Sequence, residues 1–391
     1  MERHVPGVDG TLRSRRWMER HVPGNIANFI PIWYYSNGLI TTKGLIQMTE
    51  IYPSFYSGFK CIANLCEDSC CKDWDIDIDS ETERFYMTVK GDIGNKIREK
   101  LVTDEYDERV FKAEGGRCPF WNSDMLCDIY IDLGEEHLSH TCDTFPRVNV
   151  NYGDFCENLL SFACPEAARI MLRCEGDPYA DFGGSAELET AEGADDLMSF
   201  LLKARARSAE ILLDSSLPFE YRLADCLEFN AQVQKIIEGE EPVPLSDEFE
   251  APESVRFIFD MHLGFEIMSE RWRKALEDVL DRVDSLKPSA DFAHDFEKFA
   301  LYYIYRYYLE AINSGDVLYS LKRIVCAYIV TGKLDADFAE KGYPLPRMRI
   351  LQRYSKEVEH SYDNAEALNA EFDRDPRFGV EALITLLEAI A

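Results

Sequence analysis

The chain lacks features that define several broad classes of protein. No run of 18 apolar residues occurs in its 391 residues, so we expect no membrane-spanning helix. Positive charge is scarce, with 42 lysine and arginine residues against 72 aspartate and glutamate residues, a formal charge of −30. Because phosphates would be repelled, this balance argues against a nucleic-acid or anionic-membrane binder. It suits a cationic partner, such as a lysine-bearing protein surface, or a protein with no charged partner at all.

The sequence also lacks a complete export signal. Several arginines precede the apolar stretch at residues 26–35, but Asn28 and Pro31 interrupt that stretch and no small-x-small cleavage site follows. Stable disulfides require an oxidising compartment, which a chain without an export signal does not reach. We therefore expect a cytoplasmic protein whose thiols are reduced.

The first 47 residues differ from the rest of the chain. The heptapeptide MERHVPG occurs at residues 1–7 and again at residues 18–24, within a segment of six basic and three acidic residues. A repeat with two copies does not indicate a solenoid. We expect residues 1–47 to be a disordered or non-native extension, with the native start at Met48, because dense, organised sequence begins immediately afterwards.

Two regions are predicted beyond this extension. Residues 48–176 form a cysteine-rich domain with short irregular or β pieces, and residues 197–391 form an all-helical domain after a linker rich in glycine, proline and acidic residues. No series of alternating strands occurs, so the predicted fold class is mainly α. Apolar residues recurring at a spacing of 3.6 predict helices near residues 219–237, 249–284, 292–313, 317–331 and 380–390.

Two helix starts are predicted inside the cysteine-rich region. Asp79 or Ser80 is a suitable N-cap, with Glu83 at the capping-box position. Pro165 suits the first turn of a second helix that begins after Cys164.

Cysteines are the most informative residues, since ten of the twelve lie between Cys61 and Cys174. Such crowding indicates a disulfide framework, a metal or iron–sulfur site, or buried thiols. The adjacent pair Cys70 and Cys71 fits a disulfide framework poorly. Eight cysteines are the candidate metal ligands: Cys61, Cys66, Cys70, Cys71, Cys118, Cys127, Cys142 and Cys164.

The spacing of these cysteines favours an iron–sulfur cluster over zinc. The first four follow C-x4-C-x3-C-C, and the paired C-x2-C knuckles that structural zinc prefers are missing. Iron–sulfur clusters accept thiolates at more varied spacing, often with a proline after a ligand, as at Cys118-Pro119 and Cys164-Pro165. Zinc remains the alternative. The eight sulfurs could form one or two sites of four cysteines each.

Three segments carry a resemblance to a known family. They are FYSGFKCIANLCEDSCCKDWDIDID (residues 55–79), CPFWNSDMLCDIYIDLGEEHLSHTCDTFPRV (118–148) and SFACPEAARIML (161–172). Their order resembles the bacterial flagellin lysine N-methylase family, which belongs to a wider group named for an iron- or zinc-chelating cysteine cluster. The resemblance covers roughly residues 48–172, and all eight cysteines of the family pattern are kept.

The resemblance implies a protein-lysine N-methyltransferase that transfers methyl groups from S-adenosylmethionine to flagellin and carries an iron–sulfur cluster, with 4Fe-4S favoured. The chain has no G-x-G-x-G turn of the doubly wound methyltransferases, so the donor is expected to bind differently, beside the cluster. Aromatic faces and a carboxylate suit a sulfonium, and an arginine suits the donor's carboxylate. Within the matched motifs, Trp74, Asp143 and Arg147 are the candidate cofactor-binding residues. No residue is singled out as the general base.

Two other functions fit the same cysteines. One is a non-catalytic zinc- or iron-chelating module whose helical half binds a partner protein. The other is an electron-transfer protein that uses a cluster without a methyl donor. Metal content, binding of S-adenosylmethionine and methylation of flagellin distinguish these alternatives from the enzyme.

Overall fold

The computed structural model describes residues 49–391, except residues 105, 154, 181, 183–194, 244, 246–250 and 344. The extension predicted at residues 1–47 lies outside the described residues, as does most of the predicted linker. The described chain is mainly α-helical, which agrees with the predicted fold class. None of its described helices combines the length and the apolar character needed to cross a bilayer.

Six short strands form two small sheets. They are β1 (Thr49–Ile51), β2 (Ile76–Asp77), β3 (Leu101–Thr103), β4 (Arg109–Phe111), β5 (Arg147–Asn151) and β6 (Phe155–Leu160). One sheet has the order β1-β6-β5, with β1 parallel and β5 antiparallel to β6. The other is antiparallel, in the order β2-β4-β3. The chain therefore leaves the first sheet after β1, passes through the second sheet, and returns to the first.

Five helices accompany these sheets: α1 (Ser80–Tyr86), α2 (Gly91–Lys100), α3 (Asp128–Leu133), α4 (His140–Thr144) and α5 (Pro165–Arg173). Both predicted helix starts are confirmed. The side chain of Asp79 accepts a hydrogen bond from the backbone N–H of Thr82 at 2.9 Å and so caps α1. Pro165 is the first residue of α5, where its missing N–H costs no helical hydrogen bond.

The described residues of the second half form ten α-helices: α6 (Asp195–Leu213), α7 (Phe219–Ile237), α8 (Arg256–Leu263), α9 (Glu270–Val279), α10 (Ala290–Tyr307), α11 (Ala311–Ser314), α12 (Leu318–Glu340), α13 (Arg347–Tyr354), α14 (Tyr362–Arg374) and α15 (Val380–Ile390). The predictions at residues 219–237 and 380–390 match α7 and α15. A five-residue π-helix, Ser355–Glu359, joins α13 to α14.

The single helix predicted at residues 249–284 is wrong, because the chain there forms two helices, α8 and α9. The break begins at Gly264, where a helix is entropically costly. After the break, side chains from distant segments form hydrogen bonds with the backbone groups that no longer have helical partners. The side-chain amide of Asn364 binds both the N–H and the C=O of Glu266, and the carboxylate of Glu357 accepts a hydrogen bond from the N–H of Met268. These partners lie about 90 residues downstream, so the local periodicity could not indicate them.

Two hydrophobic cores hold the described chain together. The larger core joins β1, β6 and α5 to the helices of the second half, and it includes Cys164. The smaller core surrounds the second sheet and includes Phe111, Cys118 and Phe120. The cysteine-bearing segments therefore connect two cores. The predicted domain limits, residues 48–176 and 197–391, stay a prediction.

Candidate functional site

Backbone hydrogen bonds fix the first cysteine-bearing loop against a later segment. The backbone N–H of Cys118 donates to the carbonyl oxygen of Cys71 at 2.9 Å, and the N–H of Asp73 donates to the carbonyl of Gly116 at 3.1 Å. The loop that carries Cys61 to Cys71 is thus held beside Cys118, although some 50 residues separate them along the chain.

Helix starts position three further cysteines. Cys127 is the N-cap of α3 and Cys164 is the N-cap of α5, while Cys142 lies in the first turn of α4, where its N–H donates to Ser139 Oγ at 3.3 Å. Backbone N–H groups of α3 and α5 point toward the sulfurs of Cys127 and Cys164. Such N–H groups stabilise a thiolate, which is the form that binds metals.

Electrostatic interactions divide the eight predicted ligands into two sets. Nearby thiolates raise one another's pKa, and this mutual effect links sulfurs that lie close together. One set consists of Cys71, Cys118, Cys127 and Cys142. The other consists of Cys61, Cys66 and Cys164, and Cys70 interacts with members of both sets. By contrast, Cys226 and Cys326 are buried in the helical core.

Burial controls the protonation of these thiols. It raises the pKa of Cys118, Cys142 and Cys164 to about 12 each, because no positive charge offsets the desolvation of the thiolate. Cys71 is different. The thiol of Cys70 donates a hydrogen bond to the sulfur of Cys71, and this bond lowers the pKa of Cys71 to about 7.

The chemistry of this donor set fits a thiophilic metal or an iron–sulfur cluster. All twelve cysteines are free, so the sulfurs are not consumed in disulfides. Within the part of the chain that the structure describes, no three histidine, cysteine, aspartate or glutamate side chains stand in coordinating geometry. A set made of sulfur alone suits zinc or iron–sulfur clusters and not hard cations.

A buried charge cluster anchors the cysteine loop to the helical body. Asp68, between Cys66 and Cys70 in sequence, is 2% exposed. Its carboxylate lies 3.4 Å from the Lys356 ammonium and 3.1 Å from the Arg353 guanidinium. Burial alone would raise the pKa of Asp68, but the cations outweigh it and leave that pKa lowered. The loop is thus held, through an ionised carboxylate, to α13 and the π-helix.

Trp74 lies at the junction between this loop and the helices. Its indole N–H donates to the carbonyl of Cys70 at 2.6 Å, and its ring centroid lies 5.4 Å from that of Phe145. The Lys356 ammonium lies 5.2 Å from the Trp74 ring, in cation–π geometry. The ring of His360 approaches Trp74 to 5.6 Å. Trp74 therefore connects the cysteine loop to a part of the protein that the sequence analysis did not single out.

Asp143 and Arg147 have few contacts. Both are exposed, and the Arg147 guanidinium lies 5.4 Å from the ring of Phe59. Among the described residues, neither side chain makes a hydrogen bond or an ion pair. The assignment of Trp74, Asp143 and Arg147 as cofactor-binding residues stays a prediction.

A cavity of about 560 Å³ opens on the other side of His360. It lies between the C-terminal end of α10, the N-terminal part of α12, the end of the π-helix and α14. The side chains that matter for its chemistry are Tyr303, Arg306, Tyr307, Arg323, Glu359 and His360. Because His360 contacts both Trp74 and this cavity, the cavity and the cysteine region share a wall. A larger cavity of about 780 Å³, near Arg256 and Phe378, lies elsewhere between α8 and α14.

Sequence reasoning missed the charge cluster and this cavity. One signal was present: Arg349, Arg353 and Lys356 follow at i, i+4 and i+7, which places three cations on one helical face. Such a stripe in a strongly acidic chain indicates an internal acidic partner. Nothing in the sequence identified Asp68 as that partner.

The fold and this site define a class: a mainly helical protein with a cluster of eight free cysteines. Over 140 residues the chain is 34% identical to the flagellar biosynthetic protein FliU of Salmonella muenchen, covering 34% of this chain and 81% of that protein. It is equally similar over 140 residues to the proteins named lysine-N-methylase from Salmonella typhimurium and Salmonella choleraesuis. The chain belongs to the flagellin lysine N-methylase family.

The extent of these matches is limited. The chain spans 34% of the length of each of the two lysine-N-methylases. No protein-family profile matches the chain, and no solved structure matches it. The family resemblance noted in the sequence is confirmed, and the activity of this chain is treated below as a proposal.

Proposed function

We propose that the chain is a protein-lysine N-methyltransferase that acts on flagellin, with S-adenosylmethionine as donor and an iron–sulfur cluster bound by its cysteines. The observation that carries this proposal is the division of eight free thiols, from four separate stretches, into two sets linked by electrostatic interactions. The two relatives named lysine-N-methylase support the methyl transfer. The relative named flagellar biosynthetic protein FliU supports a flagellar substrate.

Particular residues would hold the cluster. Cys71, Cys118, Cys127 and Cys142 provide one set of four sulfurs, and Cys71 begins as the most readily ionised of them. A second centre would draw on the remaining four: Cys61, Cys66, Cys70 and Cys164. When bound, such a group supplies positive charge to buried thiolates and a redox-active or structural centre. Zinc at the same sulfurs is the alternative.

The reaction has a definite atomic balance. The lone pair of the lysine nitrogen attacks the methyl carbon, the nitrogen–carbon bond forms, and the carbon–sulfur bond breaks with its electron pair going to sulfur. S-adenosylhomocysteine leaves as a neutral thioether at sulfur, and the nitrogen gives one proton to a base or to water. Since a lysine ammonium has a pKa near 10.4, it must lose a proton first, which a desolvated site favours.

The charge of the protein suits such a substrate. A formal charge of −30 attracts a lysine-bearing surface and raises its encounter rate. We also propose a reducing, cytoplasmic location, because every cysteine is free and the cluster requires thiolates.

Mass spectrometry of flagellin tests this function. Flagellin is incubated with S-adenosylmethionine and anaerobically purified protein, and its intact mass is compared with reactions that lack either component. Methyl-sized increments on lysine, seen only in the complete reaction, are the expected result. Unmodified flagellin in the presence of cluster-loaded protein would refute the proposal and favour a chelating or electron-transfer module.

A further inference from the structure

The cavity beside His360 contains polar groups that the protein leaves without partners. The Arg306 guanidinium makes no hydrogen bond or ion pair with any described residue and instead lies 4.9 Å from the ring of Tyr307. Arg323 donates to Asn369 through one terminal nitrogen and lies 4.0 Å from the Glu310 carboxylate through the other, but its Nε is buried and unpaired. Two guanidinium groups therefore line one side of this cavity with unused donor capacity.

An unpaired acceptor lies across the same cavity. One carboxylate oxygen of Glu359 accepts hydrogen bonds from the hydroxyls of Tyr302 and Tyr307, each at 2.8 Å. The other oxygen, Oε1, is buried and makes no hydrogen bond of ordinary geometry, although the Ser355 hydroxyl lies close enough to interact with this carboxyl group. Burying an unpaired polar atom is unfavourable, so a molecule that supplied the missing partner would be bound more tightly.

The backbone around Glu359 is unusual. Glu359 ends the π-helix Ser355–Glu359, a rare conformation that occurs frequently at functional sites. The wider turn places Glu359 and the following His360 against the cavity. The Nε2 atom of His360 lies 2.8 Å from Ser161 Oγ, and burial lowers the pKa of His360 to about 4, so its ring is neutral near pH 7.

We propose that this cavity binds the methyl donor through its amino-acid end and its sulfonium, an assignment that rests on the proposed function. Arg306 and Arg323 receive the donor's carboxylate, and the free oxygen of Glu359 attracts its cationic groups. The rings of Tyr303 and Tyr307 face the same space and suit a cation. At about 560 Å³ the cavity lies within the usual range for small-molecule sites.

The mixture of charges favours the donor over the acceptor lysine. A lysine side chain within a protein brings only a cation, so it would leave the Arg306 guanidinium without an anion. An α-amino acid brings a carboxylate and an ammonium together, and S-adenosylmethionine adds a second cation at sulfur. The larger cavity near Arg256 lacks this pattern, since Arg256 lies within 4 Å of Asp260 and Asp281.

Calorimetric titration of the cluster-loaded protein with S-adenosylmethionine and with S-adenosylhomocysteine tests the assignment. We expect Arg306→Gln to weaken binding of both by at least about tenfold, since a charge-assisted pair to the carboxylate is lost. Glu359→Gln should weaken S-adenosylmethionine more than the product, because only the former has a charged sulfur. Arg256→Gln, the matched control at the other cavity, should bind as wild type does.

The outcomes separate this inference from the proposed function. Wild-type protein that binds the donor and methylates flagellin, with unchanged binding in both cavity variants, overturns the inference alone. Variants that keep donor binding but lose affinity for flagellin overturn it in favour of a lysine site. Wild-type protein that neither binds the donor nor methylates flagellin overturns both. Should a variant fail to fold, ultraviolet cross-linking of labelled donor to wild-type protein must mark peptides from residues 301–310 or 355–361, and labelling elsewhere alone refutes the assignment.

Discussion

The ammonium of Lys356 lies 3.4 Å from the carboxylate of Asp68, and both side chains are almost fully buried, at 1% and 0% exposure. One residue comes from the cysteine loop and the other from the π-helix, 288 positions later. The pair therefore connects the stretch that carries Cys66 and Cys70 to the helices that line the cavity. It makes the geometry of the thiols depend on the folding of the second half.

Replacement of Asp68 should destabilise the whole protein. Asp68→Asn removes the buried carboxylate beside Lys356 and Arg353 and leaves them Asp73, which lies 3.6 Å and 3.7 Å away. Breaking a buried ion pair from one side costs about 3–5 kcal/mol, and because Asp73 remains we expect a loss at the lower end of this range. Chemical denaturation of the wild type and the variant measures this loss. Asp132→Asn, at an exposed aspartate, is the control and should change the free energy of unfolding by less than about 0.5 kcal/mol. Equal stability of Asp68→Asn and the control would show that the cluster does not anchor the loop.

Cofactor content should depend on the predicted ligands and not on every cysteine. Cys71→Ser removes the thiol with the lowest pKa in its set, so we expect the iron and sulfide content per chain to fall by at least half. Cys174→Ser is the control, since Cys174 is partly exposed and belongs to neither set. Elemental analysis after anaerobic purification gives the comparison. Equal losses in both variants would mean that the assignment of ligands is wrong.

The free energy of unfolding should decrease at acidic pH because His262 is buried as the neutral imidazole. This side chain is 1% exposed, and its Nε2 lies 3.1 Å from the hydroxyl of Tyr354. Burial lowers the pKa of His262 to about 4, below its usual value of about 6.5, so the unfolded chain binds a proton first as pH falls. This residue's contribution is complete above pH 7 and decreases by about 2 kcal/mol at pH 5.

The pH effect can be isolated by substitution. His262→Gln should have a free energy of unfolding that varies less between pH 7 and pH 5 than that of the wild type. His294→Gln, at an exposed histidine, should keep the wild-type pH dependence. Parallel pH profiles for all three proteins would contradict the assignment of this dependence to His262.

Close packing of α10 against α12 can be tested at Gly332. A Cβ atom placed there would lie 2.8 Å from Pro288 Cγ and 3.0 Å from Phe292 Cε1, which is too close for either neighbour. Gly332→Val should therefore destabilise the protein by about 1–3 kcal/mol, the usual cost of overpacking. Gly58→Val, where no atom lies within 4 Å, should cost less. Thermal melting of both variants measures the two losses of stability. A melting temperature of Gly332→Val equal to that of the wild type would contradict the close packing at this position.

The sequence predicted the elements whose signals are local. The cap at Asp79, the start at Pro165 and the helices α7 and α15 follow from side chains within a few residues of each element. The assignment of the eight cysteines as metal ligands came from the family pattern as a set, and it stays a prediction. The cap and the helices are confirmed. In these places local preference and tertiary structure agree, which is the usual condition for a reliable prediction.

Other features depended on contacts that are distant in sequence. The break between α8 and α9 is stabilised by Asn364 and Glu357, and the burial of Asp68 depends on Lys356. The π-helix at Ser355–Glu359 follows from no local pattern, although it places Glu359 at the cavity. The candidate donor site was therefore predicted near Trp74, Asp143 and Arg147, whereas the unpaired groups lie beyond His360.

Measurement of iron, acid-labile sulfide and zinc per chain, after anaerobic purification of the wild type, tests the central claim most directly. The account predicts iron and sulfide in nearly equal amounts, about four of each for one 4Fe-4S cluster, with little zinc. Zinc at full occupancy without sulfide, or a folded protein that contains neither metal, would contradict it.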